Sequence, residues 1–212
     1  MKQALDYVSS QGELDVDLLI YEWLVIDVCS RLRLNYQQSR QAQTNAIQIL
    51  KATGYKKLLG EVYLSLGNSL RKTEDNSKAI EYLEQAKDIF EDIQEIDLLF
   101  RTLRNLADAY EYDKKEFVAK QCLYQAIKLQ PEDEYLLPIS LEDLACLLIK
   151  VKEYQEAIIH YEKALSLYEN LSFSRGWQWR INELAKTYNE IGDTESAQRT
   201  LARPAPRHKT ND

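Results

Sequence analysis

Two histidines, three cysteines and a surplus of acidic residues are the groups in this 212-residue chain that could ligate a metal, attack a substrate or pass protons. Such chemistry needs them to converge, three or four around a metal or a thiol beside an imidazole. Their places in the chain argue against it. His160 falls within a helical pattern with Glu156 one turn before it, which predicts a helix-surface contact, and His208 lies in the tail. Cys29, Cys122 and Cys146 are odd in number and far apart on predicted helices, and no charged-then-apolar signal segment opens the chain. They read as reduced packing residues. The acid pairs Glu132–Asp133 and Glu142–Asp143 are adjacent, so they point apart on a helix and read as solvated positions. No glycine-rich phosphate loop appears; Gly192, in EIGDTE, reads as the left-handed stop of one helix before Asp193 or Thr194 caps the next. No catalytic residue, no metal site and no cofactor are expected, and the chain is expected not to be an enzyme.

The elements carrying these residues repeat. Tyr63, Leu66, Gly67 and Leu70 stand at i, i+3, i+4 and i+7, and so do Leu103, Leu106, Ala107, Tyr110; Leu141, Leu144, Ala145, Leu148; and Ile181, Leu184, Ala185, Tyr188. That spacing puts all four on one face of a helix. Twelve residues after each small residue an alanine opens a second stripe: Ala79, Leu83, Ala86; Ala119, Leu123, Ala126; Ala157, Tyr161, Ala164; and Ala197, Leu201, Pro204. Small residues facing one another let two helices approach closely, so each copy is a helical hairpin.

This pattern resembles the tetratricopeptide repeat. Pro131 falls at the family's proline place in the second copy. The resemblance implies an all-α, right-handed superhelical solenoid of helix-turn-helix repeats. Units beginning near 60, 100, 138 and 178 are spaced 40, 38 and 40 residues apart, against the family's usual 34, and the surplus is assigned to longer second helices such as 77–94 and 154–170. The expected organisation is one solenoid over 1–203, with a capping segment 1–19, a degenerate repeat 20–59, repeats 60–99, 100–137 and 138–177, a truncated repeat 178–203, and a flexible tail 204–212. Trp23 and Ala46 fit the family's places in the degenerate unit, whereas Asp27 and Ser39 do not. Pro204 should end the last helix near Arg203.

Composition agrees with an almost wholly helical chain: 45% of residues are hydrophobic, with only 4 prolines and 6 glycines. The apolar run from Asp17 to Cys29 is shorter than the roughly 20 residues that cross a bilayer. A net charge of −7 opposes a nucleic-acid surface. The partner expected is another protein or a peptide, with no nucleic acid and no membrane, in the cytoplasm; the abbreviated C-terminal edge is a candidate for self-association.

The resemblance also implies that the first helix of each unit lines a concave groove. The groove residues singled out are Asn68, Arg71, Lys72, Arg101, Arg104, Asn105, Asp108, Glu142, Asp143, Trp179 and Asn182. Arg71, Lys72, Arg101 and Arg104 form a basic front half; Asp108, Glu111, Glu142, Asp143, Glu183 and Glu190 make the rear acidic. The expected function is a non-catalytic scaffold binding a peptide or partner helix in that groove, oriented by this polarity. The alternative is a peptide-sensing receptor, like those among bacterial regulators, whose superhelix changes shape on binding. Asn68 and Asn105 match two places of the subclass that captures chaperone C-termini, but Leu64, Ile139 and Asp143 stand where its cations belong.

Overall fold

In a computed structural model, the described residues are Ile47, Leu50, Lys51 and residues 54–71, 75–129 and 134–206. The capping segment, most of the degenerate repeat with Trp23, Cys29 and Ala46, the residues Lys72, Pro131, Glu132 and Asp133, and residues 207–212 of the tail with His208 lie outside them. Eight helices lie wholly among the described residues, which contain no strand: α1 (Lys56–Arg71), α2 (Asn76–Asp92), α3 (Ile96–Tyr112), α4 (Glu116–Lys128), α5 (Leu136–Lys150), α6 (Tyr154–Asn170), α7 (Trp177–Glu190) and α8 (Thr194–Leu201). The protein is an all-α helical repeat fold. Its chain divides into two compact units, one through Ile89 and one from Phe90 onward.

In the first unit, α1 and the start of α2 meet over small residues. A Cβ added at Gly67 would lie 2.6 Å from Leu83 Cγ and 3.2 Å from the Ala79 carbonyl oxygen, so glycine sets how closely the helices approach there. Ala79, Leu83 and Ala86 are all buried, and the Tyr63 and Tyr82 rings stack with centroids 5.8 Å apart.

The second unit is three hairpins, α3–α4, α5–α6 and α7–α8, with α4 against α5 and α6 against α7; α3 also touches α5. The first stripe is buried in all three hairpins except at Tyr110 and Tyr188, which are half-buried, and Ala119, Leu123, Ala126, Ala157, Tyr161 and Ala164 of the second are buried. Burying a leucine-sized side chain contributes about 1.5–3 kcal/mol, so these stripes supply the main stabilising force. The longer repeats do carry longer second helices: α2 and α6 have 17 residues, α4 has 13. The last stripe fails earlier than its spacing suggests. α8 stops at Leu201, which is half exposed, and Arg203, Pro204 and Ala205 continue without helix.

The turns share one device. Lys114, Lys152 and Gly192 end the first helices of the three hairpins at φ 58°, 64° and 79°. The following N–H then reaches back to the helix, Lys115 to Tyr110 O (2.9 Å), Glu153 to Leu148 O (2.9 Å) and Asp193 to Tyr188 O (3.0 Å). Gly192 is thus the left-handed stop its sequence context predicts, and Asp193 caps α8 by accepting from the Ser196 N–H at 2.9 Å.

Candidate functional site

In the second unit the first-stripe residues of α3, α5 and α7 are committed to the core, which turns the intervening positions outward. On α3 these are Arg101, Arg104, Asn105, Asp108, Glu111 and Tyr112. Arg101, Asp108 and Tyr112 are exposed and the others half-buried. On α7 Trp179 is 51% exposed and Asn182 is exposed, while Trp177, two residues earlier, is buried in the core with Tyr161, Tyr168 and Ile181. Two tryptophans of one helical turn therefore take opposite roles.

The polar residues of this face are tied to one another across the hairpins. Arg104 donates through Nε (2.8 Å) and Nη2 (2.5 Å) to one oxygen of Asp143, joining α3 to α5. Lys150 bonds Glu111 along the same seam. The basic front and acidic rear expected from sequence are therefore not two separate pools, because Arg104 and Asp143 neutralise each other. Asp143 still has its carboxyl pushed up: burial raises it, the Arg104 charge and hydrogen bond lower it, and Asp108 and Glu142 raise it.

Glu142 departs furthest from the solvated position that its adjacency to Asp143 suggests. It is 8% exposed and accepts from Arg180 Nε at 2.9 Å and from the Tyr168 hydroxyl at 2.7 Å. Neighbours on a helix point about 100° apart, so Asp143 turns toward α3 while Glu142 turns toward α6 and α7. Arg180 lies with its guanidinium 4.1 Å from the Tyr168 ring centroid and 5.6 Å from that of Phe173, and donates to the Arg175 carbonyl at 2.5 Å. Burial and the Glu142 charge push the Tyr168 hydroxyl up, so it remains a neutral donor. Burial opposes the charge on Arg180, but the hydrogen bond and charge of Glu142 outweigh it and hold the guanidinium protonated. Sequence reasoning missed Arg180, Tyr168 and Phe173 altogether.

Of the remaining candidates, Asn68 accepts from Arg71 Nη2 at 3.3 Å within the first unit. Asn182 accepts from Gln178 at 3.1 Å, and Glu183 is paired with Lys186 at 2.6 Å. The thiol of Cys146, beside Glu142, Asp143 and Glu183, is pushed up to about 12 by burial and those carboxylates, which leaves it an unreactive neutral group. Cys122 is buried. His160 Nε2 sits 3.8 Å from Glu156 and its ring meets Tyr124 edge-on at 5.9 Å, the helix-surface contact expected of it. No helix among the described residues is long and apolar enough to cross a membrane.

Family profiles described as tetratricopeptide repeat match residues 60–93 and 138–171, the first and third copies. The chain carries tetratricopeptide repeats over those two segments. No curated protein sequence matches it. Solved tetratricopeptide-type structures share its fold. The apo form of RapI superposes with a TM-score of 0.79 at 16% identity, covering 93% of this chain and 56% of RapI. The putative kinesin light chain TPR-like repeats of Podosopora anserina give 0.70 at 18% identity, covering 89% and 93%. A Rap protein complexed with competence and sporulation factor gives 0.66 at 16%, covering 94% and 56%. This chain thus spans little more than half the length of either Rap protein.

Proposed function

We propose that this chain is a non-catalytic protein-interaction scaffold, and that the outward face of α3, α5 and α7 holds an extended peptide or a partner helix. The observation that carries the reading is that face itself. Three first helices bury the same stripe, and ion pairs brace α3 against α5. The face thereby offers Tyr112 and Trp179 as exposed aromatic anchors. Aromatic side chains on a pre-organised surface bind with little ordering penalty. Asn105 and Asn182 add amide groups able to meet a peptide backbone.

A random peptide library selected on the protein tests this. A selected peptide should lose about tenfold or more in affinity with Trp179→Ala, in keeping with tryptophan hot spots. It should be indifferent to Phe117→Ala on α4, which removes a comparably exposed aromatic ring (69% exposed) from a second helix. The opposite pattern would move the site to the second helices. Arg104 is a poor first target, because reversing it would also break its bond to Asp143.

The receptor reading draws support from the likeness to the Rap protein solved with competence and sporulation factor. Compaction in solution scattering on adding the selected peptide would favour it; binding without change of shape would favour a passive scaffold.

A further inference from the structure

Where α6, α7 and α8 meet, a cavity of about 310 Å³ is lined by Glu162, Tyr188, Ser196, Arg199, Thr200 and Arg203. Its hydrogen-bonding inventory is lopsided. The acceptors are engaged: Glu162 takes the Tyr188 hydroxyl at 3.1 Å on one oxygen and Arg203 Nη1 at 2.6 Å on the other, and Ser196 Oγ accepts from Arg199 Nη2 at 3.0 Å. Burial and Glu162 push the Tyr188 hydroxyl up to about 12, so it stays a neutral donor to that carboxylate.

The donors are not used up. A guanidinium carries five N–H groups. Arg199 gives one to Ser196 and otherwise makes only a loose 4.0 Å approach to Glu195, and Arg203 directs two nitrogens at Glu162 and Glu169. Thr200 is 3% exposed, and it lines the cavity beside Arg199 and Arg203. A hydroxyl that lines a cavity beside two guanidinium groups can donate to whatever fills that cavity.

We infer that this cavity binds an oxyanion, a carboxylate or a phosphoryl group, gripped by Arg199 and the Thr200 hydroxyl with Arg203 completing the cationic wall. The planar fork of arginine matches two oxygens of either group. The volume lies at the lower end of the range of small-ligand sites, about 300–1,000 Å³, and has room for the group that carries the anion. This site is separate from the first-helix face and stands whether or not that face binds a peptide.

The test titrates the full chain at constant ionic strength with inorganic phosphate in one arm and acetate in the other, following the Thr200 amide and Arg203 Nε signals by NMR. Saturable shifts are expected, with affinity weakened about tenfold by Arg199→Gln and several-fold by Thr200→Val, the scale of losing charge-assisted and neutral hydrogen bonds. Arg199 is exposed and valine is nearly isosteric with threonine, so circular dichroism should show both variants folded. Saturation by phosphate alone assigns a phosphoryl ligand, by acetate alone a carboxylate, and by both a general oxyanion site. Shifts that rise linearly with both ions, or saturate identically in wild type and both variants, would overturn the assignment.

Discussion

Replacing Glu142 by leucine is the most informative perturbation of the second unit. The pair it forms with Arg180 is 11–12% exposed at the side chains, so solvent screens it little. Removing the carboxylate strands a guanidinium in the core and leaves the Tyr168 hydroxyl without its acceptor. Breaking a buried pair from one side costs about 3–5 kcal/mol. The contacts Arg180 keeps, the Tyr168 face and the Arg175 carbonyl, place the expected loss near the lower end, about 3 kcal/mol. Arg180→Met should cost a similar amount. The double variant, which removes both charges, should recover most of the loss, because apolar residues of like volume replace such pairs at little cost. Urea unfolding followed by circular dichroism and tryptophan fluorescence reads the cycle, since Trp177 sits in this core. Losses below about 1 kcal/mol, or two losses that simply add, would show that the three groups do not act as one unit.

Gly67→Ala should destabilise the first unit by about 1 kcal/mol net, because the clash with Leu83 and the Ala79 carbonyl outweighs alanine's helix preference; a thermal melt with Tm unchanged or raised would contradict this. Lys152→Gly should stabilise the second unit by about 0.5 kcal/mol, since lysine is held there at φ 64°; urea denaturation reads the shift. Burial lowers the His160 pKa from its ordinary 6.5, so the unfolded chain takes up the extra proton more readily. Stability supplied by neutral His160 is therefore present above 6.5 and lost as pH falls through the folded value; His160→Gln should flatten that slope in urea titrations run across this range.

The repeat itself was legible because packing imposes it on residue type. Gly67, Ala107, Ala145 and Ala185 must be small where two helices cross, and the alanines twelve residues on answer them. The polar wiring was harder to see, because an ion pair shows no periodicity of its own within one helix. A signal existed nonetheless. Arg104 and Asp143, Glu111 and Lys150, Glu142 and Arg180, and Glu162 and Arg203 lie 39, 39, 38 and 41 residues apart, close to one repeat. Opposite charges one period apart face each other across neighbouring hairpins, and reading charge at that lag would have found all four. Adjacency misled at Glu142 and Asp143, since two neighbours on a helix can both be paired when each turns to a different partner. The turns at Lys114 and Lys152 carried no glycine to announce them, unlike Gly192.

Hydrogen exchange of the full chain with and without a library-selected peptide tests the central reading most directly. Protection should appear along the outward positions of α3, α5 and α7, from Arg101 to Tyr112, from Ile139 to Lys150 and from Trp179 to Glu190. Protection confined to α4 and α6, with those first helices exchanging as before, would contradict it.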